Sequence, residues 1–432
     1  METLLVVGAG PKALAVAAKA RVLRELGLPA PRVVVVEAQA VGGNWLPSGG
    51  WTDGQHRLGT SPEKDLGFPY RTTWARGRNR AINEAMRSYS WASFLIEHGT
   101  YAEWVDRGRP NPRHHLWAKY LQWVGRAIDL ELVMGTVRSI SVAPDGWRVS
   151  VAENSGYSTK FDADRLMITG PGQSRQAMAE HPRVLSIAEF WDLAGRRELP
   201  PASRAAVIGG GETAGSALDE LVRHDMLTIS VISPMATIYT RGESYFENSL
   251  FSDPDKWGAL GPQERREVIR RTDRGVFSVR VQANLLDDNR VHHLQGRVVR
   301  VADAGDGVTV TLRNDLRPDQ LHTFDLVVDA TGGQPLWFLD LFDAGAMDLL
   351  ELALGAPPTL PRIESSIGYD LAVSGLRSKL YLPNLAALAQ GPGFPNLSCL
   401  GELSDRILQP DSFGPRPAAR RLDAAAGART AR

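Results

Sequence analysis

Met1-Glu-Thr-Leu-Leu-Val-Val-Gly8-Ala9-Gly10-Pro11-Lys12-Ala13-Leu14 is a short apolar strand running into a glycine-rich turn and then a helix. Each small residue has a steric task there. Gly8 permits the tight turn out of the strand, Gly10 leaves the backbone bare for a pyrophosphate, and Ala13 lets the helix lie close on the sheet. The helix start presents free N–H groups and the positive end of its dipole to the phosphates. Glycine turns occur in many folds, so the residues that follow decide the reading. Leu14, Ala17, Ala18, Val22 and Leu26 share a helical face, and Arg32-Val-Val-Val-Val-Glu37 is a buried parallel strand ending in an acid. Glu37 stands where a carboxylate accepts hydrogen bonds from ribose hydroxyls and repels a 2′-phosphate, which suits FAD or NAD and not NADP.

The motif then recurs. Arg204-Ala-Ala-Val-Ile-Gly209-Gly210-Gly211-Glu212-Thr213-Ala214 is again strand, turn and helix, with Gly209, Gly211 and Ala214 in the three steric positions. The next strand, Thr228 to Ser233, ends in a hydroxyl instead of an acid, and Arg241 lies just downstream to attract a 2′-phosphate. This second turn suits NADPH. Between the two motifs, Leu130 to Ile168 reads as short alternating strands with turns at Pro144-Asp-Gly146 and Asn154-Ser-Gly156, an antiparallel excursion that rejoins the parallel sheet. Phe324-Asp325-Leu-Val-Val-Asp329-Ala330-Thr331-Gly332 is one more buried strand and glycine turn, expected to bring the chain back to the first unit with Thr331 and Gly332 at the cofactor. The fold class is therefore α/β, with two Rossmann-like dinucleotide-binding domains, the NADPH domain inserted into the FAD domain. The expected bounds are 1–200 for the first FAD segment, 201–325 for the NADPH domain and 326–409 for the FAD-domain return with a substrate-binding segment. Pro200-Pro201 serves as linker, and the Ala-, Arg-, Pro- and Gly-rich tail 410–432 is expected to be disordered.

At 432 residues the chain has room for two or three cores. Lysine plus arginine and aspartate plus glutamate number 49 each, so nothing favours nucleic acid or an anionic membrane as a partner. No apolar run has the length of a membrane span, and the immediate entry into a strand leaves no room for a signal peptide, so a cytoplasmic protein is expected. Cys399 stands alone, which excludes an internal disulfide and a CxxC redox pair. The pairs His114-His115 and His292-His293 are chain neighbours whose side chains diverge, and no metal site is expected. A homo-oligomer stays open. The aromatics between residues 80 and 130, Trp91, Phe94, Trp104, Trp117, Tyr120 and Trp123 among them, read as core packing. Gly42-Gly43-Asn44-Trp45 is a loop able to pass close to an adenosine or a flavin ring, which makes Gly43 and Trp45 cofactor candidates. Lys64, in a loop at the expected flavin, is by physics alone more often a solvated lysine.

Two nucleotide sites imply hydride transfer from NADPH to FAD, and three fates for the electrons compete. A disulfide reductase needs the absent CxxC. An electron carrier needs no elaborate substrate loops, yet those around Lys64, Asn248, Asp273 and Ser404 are elaborate. The third fate is oxygen. The stretches 54–70 (GQHRLGTSPEKDLGFPY), 208–214 (IGGGETA), 241–254 (RGESYFENSLFSDP), 272–277 (TDRGVF) and 391–406 (GPGFPNLSCLGELSDR) carry the decision. Across nearly the whole chain they resemble the N-hydroxylating flavoprotein monooxygenases of siderophore biosynthesis, most of all the L-lysine N6-monooxygenases of mycobactin and nocobactin assembly. The resemblance implies FAD- and NADPH-dependent hydroxylation of the lysine side-chain amine by molecular oxygen through a flavin C4a-hydroperoxide. It further implies that Lys64 pairs with the substrate α-carboxylate, that Asn248 contacts the amino acid, that Ser404 lies on the substrate side of the flavin, and that Arg241 lies near the nicotinamide. The chain departs from the ornithine hydroxylases at Asp273, where they carry asparagine, and at Gly59, where they carry glutamine; Asp273 meets an amine or caps a turn. An L-ornithine N5-hydroxylase is the runner-up, since one methylene is worth only about 1–3 kcal/mol in a pocket. A catalytically silent nucleotide-binding partner of a siderophore assembly complex is the reading from a different class.

Overall fold

The computed structural model describes residues 1–74, 77–172 and 174–409; the tail 410–432, expected to be disordered, lies outside the described residues. Its first sheet has seven strands in the order Leu380–Tyr381, Arg165–Ile168, Thr3–Val7, Arg32–Glu37, Leu132–Ala143, Gly146–Glu153 and Ser158–Ala163. The first five run parallel and the last three form the antiparallel excursion. Leu5 lies opposite both Val34 and Leu166, and Leu4, Leu5 and Val6 are wholly buried because helices cover the sheet. Helix Pro11–Glu25 is buried on nearly every face. Its alanines let it nestle between the sheet and the final helix Leu400–Leu408. Helices Asn79–Arg87, Trp91–Glu97, Tyr101–Asp106 and His114–Ala127 bring Trp91, Phe94, Trp104, Trp117 and Tyr120 into one tilted and edge-on aromatic cluster.

A second, five-stranded parallel sheet runs Val291–Gln295, Thr228–Ser233, Arg204–Ile208, Leu326–Asp329 and Val184–Ser186, with a three-stranded antiparallel sheet, Arg297–Asp303, Val308–Asn314 and Arg317–Phe324, against it. Two of these strands lie outside the expected bounds of 201–325. Val184–Ser186 and Leu326–Asp329 are hydrogen-bonded into the second sheet, so this unit starts ahead of the Pro200-Pro201 linker and closes after Asp329. The reason is that a short apolar strand before a glycine turn reads the same in either parallel sheet; only its neighbours decide. The two crossings between the units are adjacent, because Ser174 and Gly333 form an antiparallel bridge. Among the described residues no helix is long and apolar enough to cross a membrane.

One buried ion pair closes the first unit. Lys19 Nζ on the first helix lies 2.8 Å from Asp405 Oδ1 on the last, and Thr72 Oγ1 donates to the same oxygen at 2.6 Å. Removing one member leaves the other charge buried and alone. Asp405→Ala is therefore expected to cost about 3–5 kcal/mol, and the double variant Lys19→Met/Asp405→Leu to recover most of it, as read from urea unfolding at fixed cofactor concentration.

Candidate functional site

The first turn has the steric form that a dinucleotide needs. Gly8 sits at φ +93°, and a Cβ there would lie 2.6 Å from Thr169 Oγ1. Gly10 is the N-cap of helix Pro11–Glu25 with no side chain capping it, and a Cβ on it would meet nothing within 4 Å. The first N–H groups of the helix are therefore left without a side-chain partner. Ala13 is wholly buried where the helix meets the sheet. Glu37 reaches the same turn: its Oε2 accepts from Ala9 N and its Oε1 from Gln39 N, both at 2.8 Å. Gly42 N donates to Ala9 O at 3.0 Å, and this holds the short 3-10 helix Gly43–Trp45 beside the turn. An uncapped helix start next to an acid at the strand end fits a pyrophosphate and a ribose.

The second turn repeats the arrangement. Gly209 has φ +143°, and a Cβ there would lie 2.6 Å from Ala330 O. Gly211 caps helix Glu212–Leu221 without a side-chain bond, and Ala214 is buried. Ser233 occupies the strand-end position that Glu37 holds in the first turn; a Cβ on Gly210 would sit 3.4 Å from its Oγ. Arg241 is not a free cation. Its Nη2 lies 3.4 Å from Glu212 Oε2 and its Nε 3.8 Å from Glu243 Oε1. Thr331 donates through Oγ1 and N to Asp329 Oδ1 at 2.7 and 3.1 Å, and Gly332 has φ +97° with open space beside it. Both follow a strand of the second sheet, so they stand by the second turn, and it is Gly333, against Trp51, that leads back to the first unit.

Lys64 is not a surface lysine. Its ammonium donates to Asn248 Oδ1 at 3.0 Å and to Ser398 Oγ at 3.3 Å, and burial pulls its pKa below the ordinary 10.5. Among the described residues no carboxylate hydrogen-bonds it, and one of its three donors is unused. Asn248, on helix Tyr245–Ser252, is held in turn by its Nδ2 donating to Glu243 O at 2.6 Å. Asp273 ends helix Pro262–Thr272; burial raises its carboxyl pKa while the charges of Arg274 and Arg241 oppose the rise. Lys64, Asn248 and Arg241 thus form one connected group around Glu243, with Asp273 in electrostatic reach of Arg241. Ser404 is not joined to it. It is wholly buried in helix Leu400–Leu408, with its hydroxyl donated to Gly401 O at 2.8 Å. Sequence reading missed Ser398 and Glu243 as partners, although both lie within the quoted stretches 391–406 and 241–254.

Fold and site together define a flavoprotein-type oxidoreductase with two dinucleotide turns and a polar cluster around Lys64 and Asn248 linked to both. The chain belongs to the L-lysine 6-monooxygenase/L-ornithine 5-monooxygenase family, whose profile matches residues 82–334. It is 54% identical over 417 residues to the L-lysine N6-monooxygenase MbtG of Mycobacterium tuberculosis H37Rv, covering 96% of each chain. Among solved structures, the lysine monooxygenase NbtG of Nocardia farcinica superposes with a TM-score of 0.85 at 77% identity, covering 94% of this chain and all of that one. The ornithine N-hydroxylase KtzI of Kutzneria sp. 744, at 20% identity and a TM-score of 0.72 over 94% of this chain and 97% of that one, shares the fold.

The two glycines of the first turn separate folding from binding. Gly8→Ala is expected to destabilise the protein by about 1–3 kcal/mol through its positive φ and the Thr169 contact. Gly10→Ala, with nothing near its Cβ, should leave thermal unfolding of the nucleotide-free protein unchanged while weakening FAD binding measured by flavin fluorescence.

Proposed function

We propose that this chain is an FAD- and NADPH-dependent L-lysine N6-monooxygenase that supplies hydroxylysine for a hydroxamate siderophore. The balanced reaction takes L-lysine, NADPH, a proton and O2 to N6-hydroxylysine, NADP+ and water. The observation that carries it is the placing of Lys64. Through Ser398 it joins the loop whose Pro395 O accepts from Lys12 of the first turn at 2.6 Å, and through Asn248, Glu243 and Arg241 it is linked to Glu212 of the second. An ammonium so placed, with no carboxylate among the described residues bonded to it, suits an amino acid's α-carboxylate at the junction of two nucleotides. The 54% identity to a lysine monooxygenase and the 77% identity to another support lysine over ornithine.

Bound FAD, reduced by NADPH, supplies the activation of molecular oxygen. The protein's residues bind and orient. Lys64 and Asn248 hold the carboxylate end, so that the lysine side chain extends from that fixed point. The amine must arrive neutral, against a free pKa of about 10.4. An enclosed site disfavours the charged amine, and burial likewise raises the carboxyl pKa of Asp273, which lies in electrostatic reach of Arg241.

Lys64→Ala is expected to raise the lysine KM by about tenfold or more, as fits the loss of a charge-assisted bond, while NADPH oxidation continues and yields peroxide. Hydroxylamine formation, NADPH loss and peroxide release, followed together with lysine and ornithine, test the reading; peroxide alone with every amine would defeat it. The lysine KM should also climb as pH rises through the lowered pKa of Lys64, because only its protonated form anchors the carboxylate. This climb should vanish in Lys64→Ala.

A further inference from the structure

Lys12 is the second residue of helix Pro11–Glu25, immediately past the first glycine turn. A cation is badly placed there, because the helix start is already electropositive. It is half-buried, burial pulls its pKa down to about 8, and its ammonium has one hydrogen bond, to Pro395 O at 2.6 Å. Among the described residues no carboxylate pairs with it. The Cys399 thiol lies in electrostatic reach of it, and burial pushes that thiol's own pKa up, so it stays neutral. Lys19, on the same helix, shows the usual provision for an enclosed lysine: it has Asp405 at 2.8 Å.

A half-buried ammonium without an anion among the described residues, at the start of the helix that receives a dinucleotide, points to the ligand as its counter-ion. Lys12 follows the uncapped helix start at Gly10 by two residues, and a Cβ on Gly10 would meet nothing within 4 Å. We propose that Lys12 supplies the cation for the FAD pyrophosphate, its two unused donors completing what the bare helix start begins. The assignment rests on the first turn holding FAD, as the proposed function requires. It adds a residue that the glycine fingerprint, which works through backbone alone, does not contain.

The test is an FAD titration of the nucleotide-free wild type, Lys12→Met and Lys12→Arg, with riboflavin as the probe lacking pyrophosphate. Lys12→Met should weaken FAD binding by about tenfold or more, Lys12→Arg should keep most of the affinity, and riboflavin should bind wild type and Lys12→Met alike. The wild-type affinity should fall as pH rises through about 8, where the free protein loses the Lys12 proton that the phosphate would retain. Lys12→Arg, whose guanidinium does not titrate there, should show no such fall. Equal FAD affinity in wild type and Lys12→Met overturns the assignment. So does an equal loss in both variants, which would leave Lys12 only as the anchor of Pro395, or a matching loss for riboflavin. A wild type that binds no FAD defeats the cofactor reading itself.

Discussion

The molecule depends on two helix starts that no side chain among the described residues caps. Gly10 and Gly211 each cap a helix without a side-chain bond, and each leads out of a buried parallel strand. The first N–H groups of a helix cost free energy if they are enclosed without partners, so these ends must face either solvent or an anion. The steric provisions around them serve that need. Gly8 and Gly209 turn the chain at positive φ against Thr169 and Ala330, and Ala13 and Ala214 let the helices sit low on their sheets.

The polar pocket grows from the same frame. Its residues come from the loop after the first unit's opening motifs, from the second unit and from the segment before the last helix. Hydrogen bonds from Lys64 to Asn248 and Ser398 join all three. Burial acts oppositely on its charged groups, lowering the pKa of Lys64 and raising those of Asp273 and Glu243, so each is pushed toward its neutral form. A substrate that carries both a carboxylate and an amine returns charge partners to such a pocket.

The turns were legible in the sequence because their determinants are local: a glycine is needed wherever φ is positive, whatever surrounds it. Lys64 meeting Asn248 was not legible from physics, since the partners lie 184 residues apart and a lone lysine in a loop normally faces water. Only the resemblance of whole stretches singled both out. Strand membership failed for a related reason: Leu326–Asp329 carries the right apolar run, but nothing in it names its neighbours. Ser404, which the resemblance puts on the substrate side of the flavin, donates its hydroxyl to Gly401 of its own helix. A serine in a helix has that option wherever the carbonyl one turn back is in reach.

The insertion of one unit inside the other sets an order of events at the ribosome. The second sheet draws its strands from one continuous stretch, Val184 to Asp329, and contains every partner it needs once that stretch has emerged. The first sheet must wait. Its edge strand Leu380–Tyr381 and the carboxylate that neutralises Lys19 are made only after the whole second sheet, so a lysine from the opening helix stays hydrated until residue 405 arrives. The earlier-synthesised half of the protein is thus the later one to close, and a chain cut short before its last helix would carry a finished nicotinamide unit on an unfinished flavin one.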